Sequence, residues 1–286
     1  MTLRKKTSLF IAIAFACLIA CLLVISLTIT REGFTDIEDK EIRRDVERAL
    51  NIIDNEMATL DDTARDFAFS DDTYAFVRSG SKAYIRDNLR EPAMTKLRVN
   101  YVLFVNTAGR IVFGKSYDLK NGGEIPFPRD LQEKMASDRL LTGHADPDNG
   151  VTGVMLLPDG PMLVSARPIL TSDMTGPVRG TLIMATSLDH FKIRQFARIT
   201  KLSLVVHPVD DEQMPPDIRE VAASFSASTS MDVKRLNKNI IAGYALIRDI
   251  YGKPALILRI DQPRAVYKQS QTTVHYLFVS LIVIAV

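Results

Sequence analysis

The clearest pattern in the sequence is an apolar stripe with helical spacing between residues 34 and 69. From Ile42 onward apolar residues recur every three or four positions: Ile42, Val46, Leu50, Ile53, Met57, Leu60, Ala64 and Phe67. The other positions are rich in Asp, Glu and Arg, and neither Pro nor Gly interrupts the stretch. The stripe predicts an amphipathic helix that covers a globular domain, or a signalling helix that pairs with a second copy of the chain. The two interpretations are compatible.

A uniformly apolar stretch precedes this helix. Residues 8–30 contain no charged side chain and, as a helix, would extend for roughly 35 Å, which exceeds a hydrocarbon core of about 30 Å. Basic residues at 4–6 place the preceding tail, residues 1–7, in the cytoplasm. A cleaved signal peptide or a lipoprotein signal at Cys21 is the alternative, but the apolar run continues well past that cysteine. The pattern predicts a membrane-spanning helix at 8–30.

Downstream of residue 70 the pattern changes to short strands separated by turns. Five strands are predicted, at Val99–Asn106, Arg110–Tyr117, Val151–Leu157, Pro161–Leu170 and Val178–Leu188. Short helices are predicted at 73–77, 82–89 and 129–136. The turns at 106–109 and 158–160 contain Gly, which tolerates the positive φ that tight hairpins need. Five antiparallel strands with a helix between the second and third are typical of a PAS-like module.

A smaller unit follows a predicted linking helix at 189–199. Its predicted elements are strands at 202–207, 231–235, 240–250 and 255–260, and a helix at 216–225. A further helix is predicted to begin near Pro263, because proline suits the first helical turn. The apolar run at 276–286 is shorter than the roughly 20 residues that span a bilayer, so we interpret it as the first half of a second membrane helix.

Charge and cysteine content exclude several function classes. The formal net charge of +2 gives no electrostatic basis for binding nucleic acid. The two cysteines, Cys17 and Cys21, both lie in the apolar N-terminal stretch. Residues 31–275 therefore have neither a disulfide framework nor a thiolate metal site.

Several separated motifs resemble the type-four CHASE domain. The first two blocks are Asp66-x-Ala68-x-Ser70-Asp71-Asp72-Thr73-Tyr74-x-Phe76-Val77 and Tyr84-Ile85-x-x-Asn88-Leu89. The later blocks are Ser165-Ala166-Arg167-Pro168-Ile169, Gly176-Pro177-x-x-Gly180-Thr181-Leu182 and Leu188-Asp189. They occur in the family's order and cover roughly residues 34–188. The sequence departs from the family at Ser70, where a tryptophan usually precedes the two aspartates.

The resemblance implies an extracytoplasmic sensory module of bacterial or archaeal receptors, related to the Cache and PAS folds. The expected fold is α+β and double-Cache-like, with a membrane-anchored N-terminal helix and two modules. The expected divisions are a distal PAS/Cache-like antiparallel sheet module at 31–200, which includes the long helix 34–69, a membrane-proximal α/β module at 201–262, and an exit helix leading into the membrane at 263–286. Residues 31–275 would be periplasmic or extracellular, in a multi-pass protein of the inner membrane.

The implied function is ligand sensing, with the signal passed through two helices to a cytoplasmic output module. The family usually precedes enzymes of cyclic-di-GMP synthesis and degradation, which is the first expectation, or histidine kinases. A chemotaxis receptor or a membrane-tethered solute-binding protein would also fit the pattern. The expected partners are an unknown small-molecule ligand, the lipid bilayer and a second copy of the chain paired through helix 34–69.

Catalytic and metal-binding motifs are missing from the sequence. Its four histidines are scattered without ligand spacing, and no Gly-rich phosphate loop is present. Residues 146–150 hint at a calcium loop, but Gly150 and Leu157 occupy positions that need oxygen ligands. Ser165 has no partner that suggests nucleophilic work. We therefore expect no enzyme activity, cofactor or metal in this segment.

The sequence favours a ligand pocket near the two adjacent aspartates. Arg167 alternates onto the same strand face as Ser165, so if that face is buried its guanidinium needs an anion. Asp71 and Asp72 are the candidate internal partners, and the ion pair could equally be purely structural. The candidate ligand-binding residues are Asp71, Asp72, Tyr74, Tyr84, Asn88, Tyr101 and Arg167.

Overall fold

The structure, a computed structural model, describes residues 3–144, 150–157, 160–226, 229–265, 267–269, 276 and 279. Its helices are α1 (Leu3–Ala68), α2 (Asp71–Ser79), α3 (Lys82–Asn88), α4 (Glu91–Leu97), α5 (Arg129–Ser137), α6 (Arg139–Thr142), α7 (His190–Thr200) and α8 (Pro216–Ser224). Its strands are β1 (Tyr101–Asn106), β2 (Ile111–Tyr117), β3 (Glu124–Ile125), β4 (Val151–Leu157), β5 (Gly160–Pro168), β6 (Gly180–Ser187), β7 (Ser203–Pro208), β8 (Met231–Arg235), β9 (Ile240–Arg248) and β10 (Pro254–Pro263).

The first sheet has six antiparallel strands in the order β3-β2-β1-β6-β5-β4. The five strands expected from the alternating pattern are all present, and β3 is an addition. Its two residues extend the sheet by pairing with Ser116 and Tyr117 of β2. A strand this short carries no periodicity, which is why the pattern does not predict it.

The turn between β1 and β2 shows how local sequence sets the register of this sheet. The Asn106 carboxamide accepts hydrogen bonds from the backbone N–H groups of Ala108 and Arg110, both at 3.0 Å. Gly109 has a φ of 73°, a conformation that a side chain disfavours. The Asn and Gly together close the predicted hairpin and place Val105 opposite Ile111.

The second sheet has four antiparallel strands in the order β7-β10-β9-β8, with α8 packed on one face. Its elements follow the predicted positions, except that β10 continues through Pro263, where a helix start was expected. Pro263 pairs with Ile240 of β9 at the end of the strand. That position is compatible with proline because the ladder ends there. Helix begins two residues later, at Ala265.

The two sheets contact each other through the turn between β9 and β10. Ile250 donates a backbone hydrogen bond of 2.9 Å to the carbonyl of Val154 on β4. Tyr251 donates its hydroxyl to the carboxylate of Asp138, which follows α5. The far end of the second sheet is therefore attached to the edge of the first.

Helix α1 packs its apolar stripe on both sheets. The buried stripe residues are Ile42, Val46, Ile53, Leu60 and Ala64. They share one core cluster with residues of both sheets, including Phe104 and Leu258. The approach is close at Gly243 of β9, where an added Cβ would lie 2.6 Å from Val46 Cγ2. The first interpretation of the stripe, a helix covering a globular domain, is confirmed.

The predicted homodimer seam along this stripe is wrong, because the chain's own sheets already bury it. A helix with one apolar stripe can bury it only once, and both sheets present apolar faces within the same chain. Leu50 and Met57 are partly buried against the same core. A second copy that paired through this part of α1 would have to pack on its polar side, which carries exposed charges such as Glu41, Arg44 and Glu47.

The two predicted membrane segments lie near the ends of the chain. Residues 8–30 belong to the continuous helix α1 rather than to a separate helix. In the part of the chain that the structure describes, no helix combines the length and apolar character needed to cross a membrane. Residues 276 and 279 are helical, and the rest of the predicted second segment, 276–286, lies outside the described residues.

Candidate functional site

Arg167 is held by a carboxylate of α1. The alternation of β5 places Ser165 and Arg167 on the face that packs against this helix, where α1 presents Asp61. Arg167 Nε donates to Asp61 Oδ1 at 2.7 Å, and Nη2 donates to Oδ2. Ser165 and Thr152, paired across β5 and β4, donate hydroxyl hydrogen bonds of 2.8 and 2.6 Å to Asp61 Oδ1. We call these four residues the Asp61 cluster.

The expected pairing of Arg167 with Asp71 or Asp72 is therefore wrong. The condition on which an anion was expected is met, since this strand face is buried and the side chains of Arg167 and Asp61 are only 12% and 19% exposed. The partner comes from the long helix, about three turns before the adjacent aspartates. Both Asp71 and Asp72 are exposed at the start of α2.

The Asp61 cluster predicts a pH dependence of stability. Burial raises the pKa of Asp61, but hydrogen bonds from Arg167, Thr152 and Ser165 and the charge of Arg167 outweigh burial and hold the pKa below its ordinary value of 3.8. Because the folded-state pKa is depressed, the unfolded chain binds the proton more readily. The stabilisation is complete above the ordinary pKa and is lost as the pH falls through the folded-state pKa.

We expect the difference in free energy of unfolding between the parent and Asp61→Asn to shrink as the pH falls from about 6 to about 3. Urea denaturation at several pH values measures this difference. A difference that stays constant across that range would show that the Asp61 carboxylate does not titrate with a depressed pKa.

Asp71 and Tyr74 fasten the loop that follows β5. Asp71 accepts hydrogen bonds from Ser172, at 3.1 Å from the backbone N–H and 2.7 Å from the hydroxyl. Tyr74 donates its hydroxyl to the carbonyl of Pro177 at 3.2 Å, and the guanidinium of Arg179 lies over its ring at 4.5 Å. The loop thus accounts for the polar atoms of both candidate residues.

Asp72, Tyr84 and Asn88 line one open pocket of about 380 Å³ beside α2 and α3. The Tyr84 ring stacks on Phe76 with centroids 4.4 Å apart, and its hydroxyl lies 2.5 Å from Thr73 Oγ1. Asn88 donates a side-chain hydrogen bond to the Tyr84 carbonyl at 3.3 Å. The structure therefore brings together three of the seven predicted residues in a pocket.

Tyr101 lies on the opposite face of the first sheet. Its ring meets Phe127 edge-on at 5.1 Å, within the cluster that α5 and α6 cover. Strand alternation explains the placement, because Val102 and Phe104 point to the face shared with α1. Tyr101 is thus separated from the other six candidates by the thickness of the sheet.

A larger cavity, of about 490 Å³, lies where α4, the β2–β3 loop, the end of β6 and α7 converge. We call it the basic cleft, because five of its lining residues are cations: Arg98, Lys120, Lys192, Arg194 and Arg198. Sequence reasoning missed it, since its walls come from four separate segments. The available signal was the pair Arg194 and Arg198, spaced four residues apart on the predicted linking helix.

Among the residues that the structure describes, no group of three or more His, Cys, Asp and Glu side chains could hold a metal ion. The hinted calcium loop at 146–150 lies outside the described residues except for Gly150.

Comparisons with known proteins match residues 52–207 to the CHASE4 domain. The methanogenesis regulatory histidine kinase FilI of Methanothrix harundinacea (strain 6Ac) is 26% identical over 243 residues. These residues are 84% of this chain and 26% of that protein, so the chain spans about a quarter of its curated relative.

Two of the solved structures to which this chain is similar are an extracellular domain and a ligand binding domain. The extracellular domain of vpHK1S-Z8 is 15% identical, with a TM-score of 0.55 over 82% of this chain and 96% of that chain. The ligand binding domain of the Pseudomonas aeruginosa PAO1 amino acid chemoreceptor PctC, solved in complex with GABA, is 13% identical, with a TM-score of 0.42 over 76% of this chain and 94% of that chain.

Proposed function

This chain belongs to the CHASE4 domain family of Cache-like extracellular sensor domains, and we propose that it is the ligand-sensing region of a membrane-bound histidine kinase. The observation that carries the proposal is the relationship to the histidine kinase FilI, which extends over 84% of this chain. The matched length is too great for the first sheet alone, so the relationship includes most of the sensory architecture. Residues 31–275 would then lie outside the cytoplasm.

The relationship to FilI favours a histidine kinase over the cyclic-di-GMP output that the sequence first suggested. That relative is a histidine kinase, and its match to this chain extends beyond the residues that the family model covers. The sensing role does not depend on this choice, because it comes from the family itself.

The proposed ligand is a small molecule, and the pocket of Asp72, Tyr84 and Asn88 is one candidate site for it. Its volume falls within the range of about 300–1,000 Å³ that is typical of ligand pockets. The stacked and hydrogen-bonded Tyr84 gives the pocket a fixed wall. Burial raises the pKa of Tyr84, while the hydrogen bond with Thr73 lowers it and the charge of Asp72 raises it. The net shift is upward, so the tyrosine is a neutral hydroxyl at physiological pH.

We propose that ligand binding shifts the packing of the two sheets on α1. This helix contacts both sheets through one core, so a shift in the packing of either sheet would also change the packing of the helix. A ligand shifts such an equilibrium only by its different affinity for the two states. The output would therefore be a change in the position of α1 relative to the segment that leaves β10.

A chimera of this chain with a cytoplasmic histidine kinase core, held in membrane vesicles, tests the proposal. We expect at least one compound from a panel of amino acids, organic acids and phosphate esters to change autophosphorylation from ATP by several-fold. The same kinase core without this chain should not respond. If no compound changes the chimera, or if the isolated core responds equally, the proposal fails.

A further inference from the structure

The basic cleft lies between the first sheet and α7, the helix that leads into the second sheet. One wall consists of the residue that ends α4, Arg98, and the loop between β2 and β3, which carries Lys120. The other wall is α7, which carries Arg194 and Arg198 and leads directly into β7 of the second sheet. The cleft thus has cations from the first sheet on one side and from the linking helix on the other.

The floor of the cleft is held together by hydrogen bonds of Asn100. The Asn100 carboxamide accepts hydrogen bonds from the Thr186 hydroxyl at 3.2 Å and the Ser187 backbone at 3.0 Å. Its amide group donates to the Tyr117 carbonyl at 3.0 Å. Since these bonds use both ends of the side chain, Asn100 fixes the strand ends against each other and the cleft is preformed.

The carboxylate of Asp118 is committed to its own turn. It accepts hydrogen bonds from the backbone N–H groups of Lys120 and Asn121, at 2.8 and 3.0 Å, and from the Asn121 side chain at 2.7 Å. These bonds lower the pKa of Asp118, so it stays ionised. The carboxylate therefore stabilises the loop and forms no ion pair with the cations around it in the described part of the chain.

Besides Asp118, the cleft is lined by one carboxylate and five cations. Asp189 caps α7 by accepting a hydrogen bond from the Lys192 backbone at 2.9 Å. The Lys192 ammonium pairs with Glu56 of α1. Four cations then form no ion pair within the described residues: Arg98, Lys120, Arg194 and Arg198.

Arg194 and Arg198 lie one helical turn apart, where like charges repel and destabilise a helix. Both are exposed, and the half-exposed ring of Phe191 provides an apolar surface beside them. An anion between the two walls would relieve this repulsion and would accept charge-assisted hydrogen bonds from the guanidinium groups. The cavity volume of about 490 Å³ suits a small organic molecule rather than a single ion.

We propose that the basic cleft binds a small organic anion that carries two or more carboxylate or phosphate groups. Such a ligand has charges enough to bridge both walls, and it would join the first sheet to α7. Since α7 leads into the second sheet, binding would change how the two sheets sit together. The signalling consequence rests on the proposed sensor function, whereas binding itself is a property of this chain.

Isothermal titration calorimetry on the full chain tests the site with three probes at matched ionic strength: malonate for carboxylates, inorganic pyrophosphate for phosphates, and acetate as a monovalent control. We expect malonate or pyrophosphate to bind more tightly than acetate, and the tighter of the two identifies the anionic group. The double variant Arg194→Gln with Arg198→Gln should weaken that binding by at least about tenfold, because two charge-assisted contacts are lost.

The matched control is Arg43→Gln with Arg44→Gln, which removes the same charge from exposed positions of α1 and should change affinity less than about twofold. Lys120→Gln, on the opposite wall, should also weaken binding and guards against a local effect on α7. Equal loss in the control and the cleft variants, or no binding of either polyvalent probe, overturns the site. That outcome leaves the histidine kinase proposal intact, because that proposal is tested separately by autophosphorylation of the chimera.

Discussion

Replacing Glu38 by alanine is expected to lower the free energy of unfolding by about 3–5 kcal/mol, because it leaves Arg264 buried without an anion. Arg264 donates to Glu38 Oε2 from Nε at 3.0 Å and from Nη2 at 2.9 Å. The Tyr267 backbone donates to Glu38 Oε1 at 3.1 Å, and the side chains of Arg264 and Glu38 are only 8% and 4% exposed. We call these three residues the Glu38 clamp, since they join α1 to the segment that leaves β10.

Urea denaturation of the parent and the variant measures this loss. Asp36→Ala is the matched control on the same helix, because its pair with Lys40 is 63–64% exposed and should be worth less than about 1 kcal/mol. The double variant Glu38→Leu with Arg264→Met should be more stable than Glu38→Ala, since it removes both buried charges. A loss in Glu38→Ala no larger than in Asp36→Ala would show that the clamp is not buried.

Arg167→Ala is expected to cost roughly 2–4 kcal/mol of stability, somewhat less than a fully enclosed pair. The substitution leaves Asp61 with its two hydroxyl donors but without its cation. The remaining exposure of the pair, 12% and 19%, lets water reach part of the orphaned carboxylate. The loss should appear as looser packing of α1 on β5.

Arg86→Ala is the control for this prediction, because its pair with Asp87 is 63% and 57% exposed and should contribute little to stability. Hydrogen exchange locates the effect. We expect faster exchange in α1 around residue 61 in Arg167→Ala and no change there in Arg86→Ala. Equal stability of the two variants would mean that the Asp61 cluster does not hold the helix.

The local elements of the fold were predictable because their signals lie within a few residues of one another. Helical spacing over 34–69 and the turn glycine Gly109 fix a helix and a hairpin without any knowledge of distant contacts. The family motifs added the expected fold of roughly residues 34–188. Strand alternation placed Arg167 on the same face as Ser165, where its guanidinium would need an anion if that face were buried.

The partners of these elements were not predictable in the same way. The stripe of α1 has the spacing of a dimer seam and of a sheet-packing helix alike, so the pattern could not decide between them. Asp61 stands among many acidic residues on α1, and only the position of β5 singles it out. The basic cleft and Tyr101 depend on which segments converge and which face a strand presents.

The histidine kinase chimera tests the central claim most directly. The measurement is the change in autophosphorylation that an active compound causes in the parent, in Glu38→Gln and in Asp36→Asn. If this chain is a sensor that passes its signal through α1 and the Glu38 clamp, the response is present in the parent and in Asp36→Asn and is strongly reduced in Glu38→Gln. The same response in all three would contradict passage through the clamp, and no response of the parent to any compound would contradict the sensor function itself.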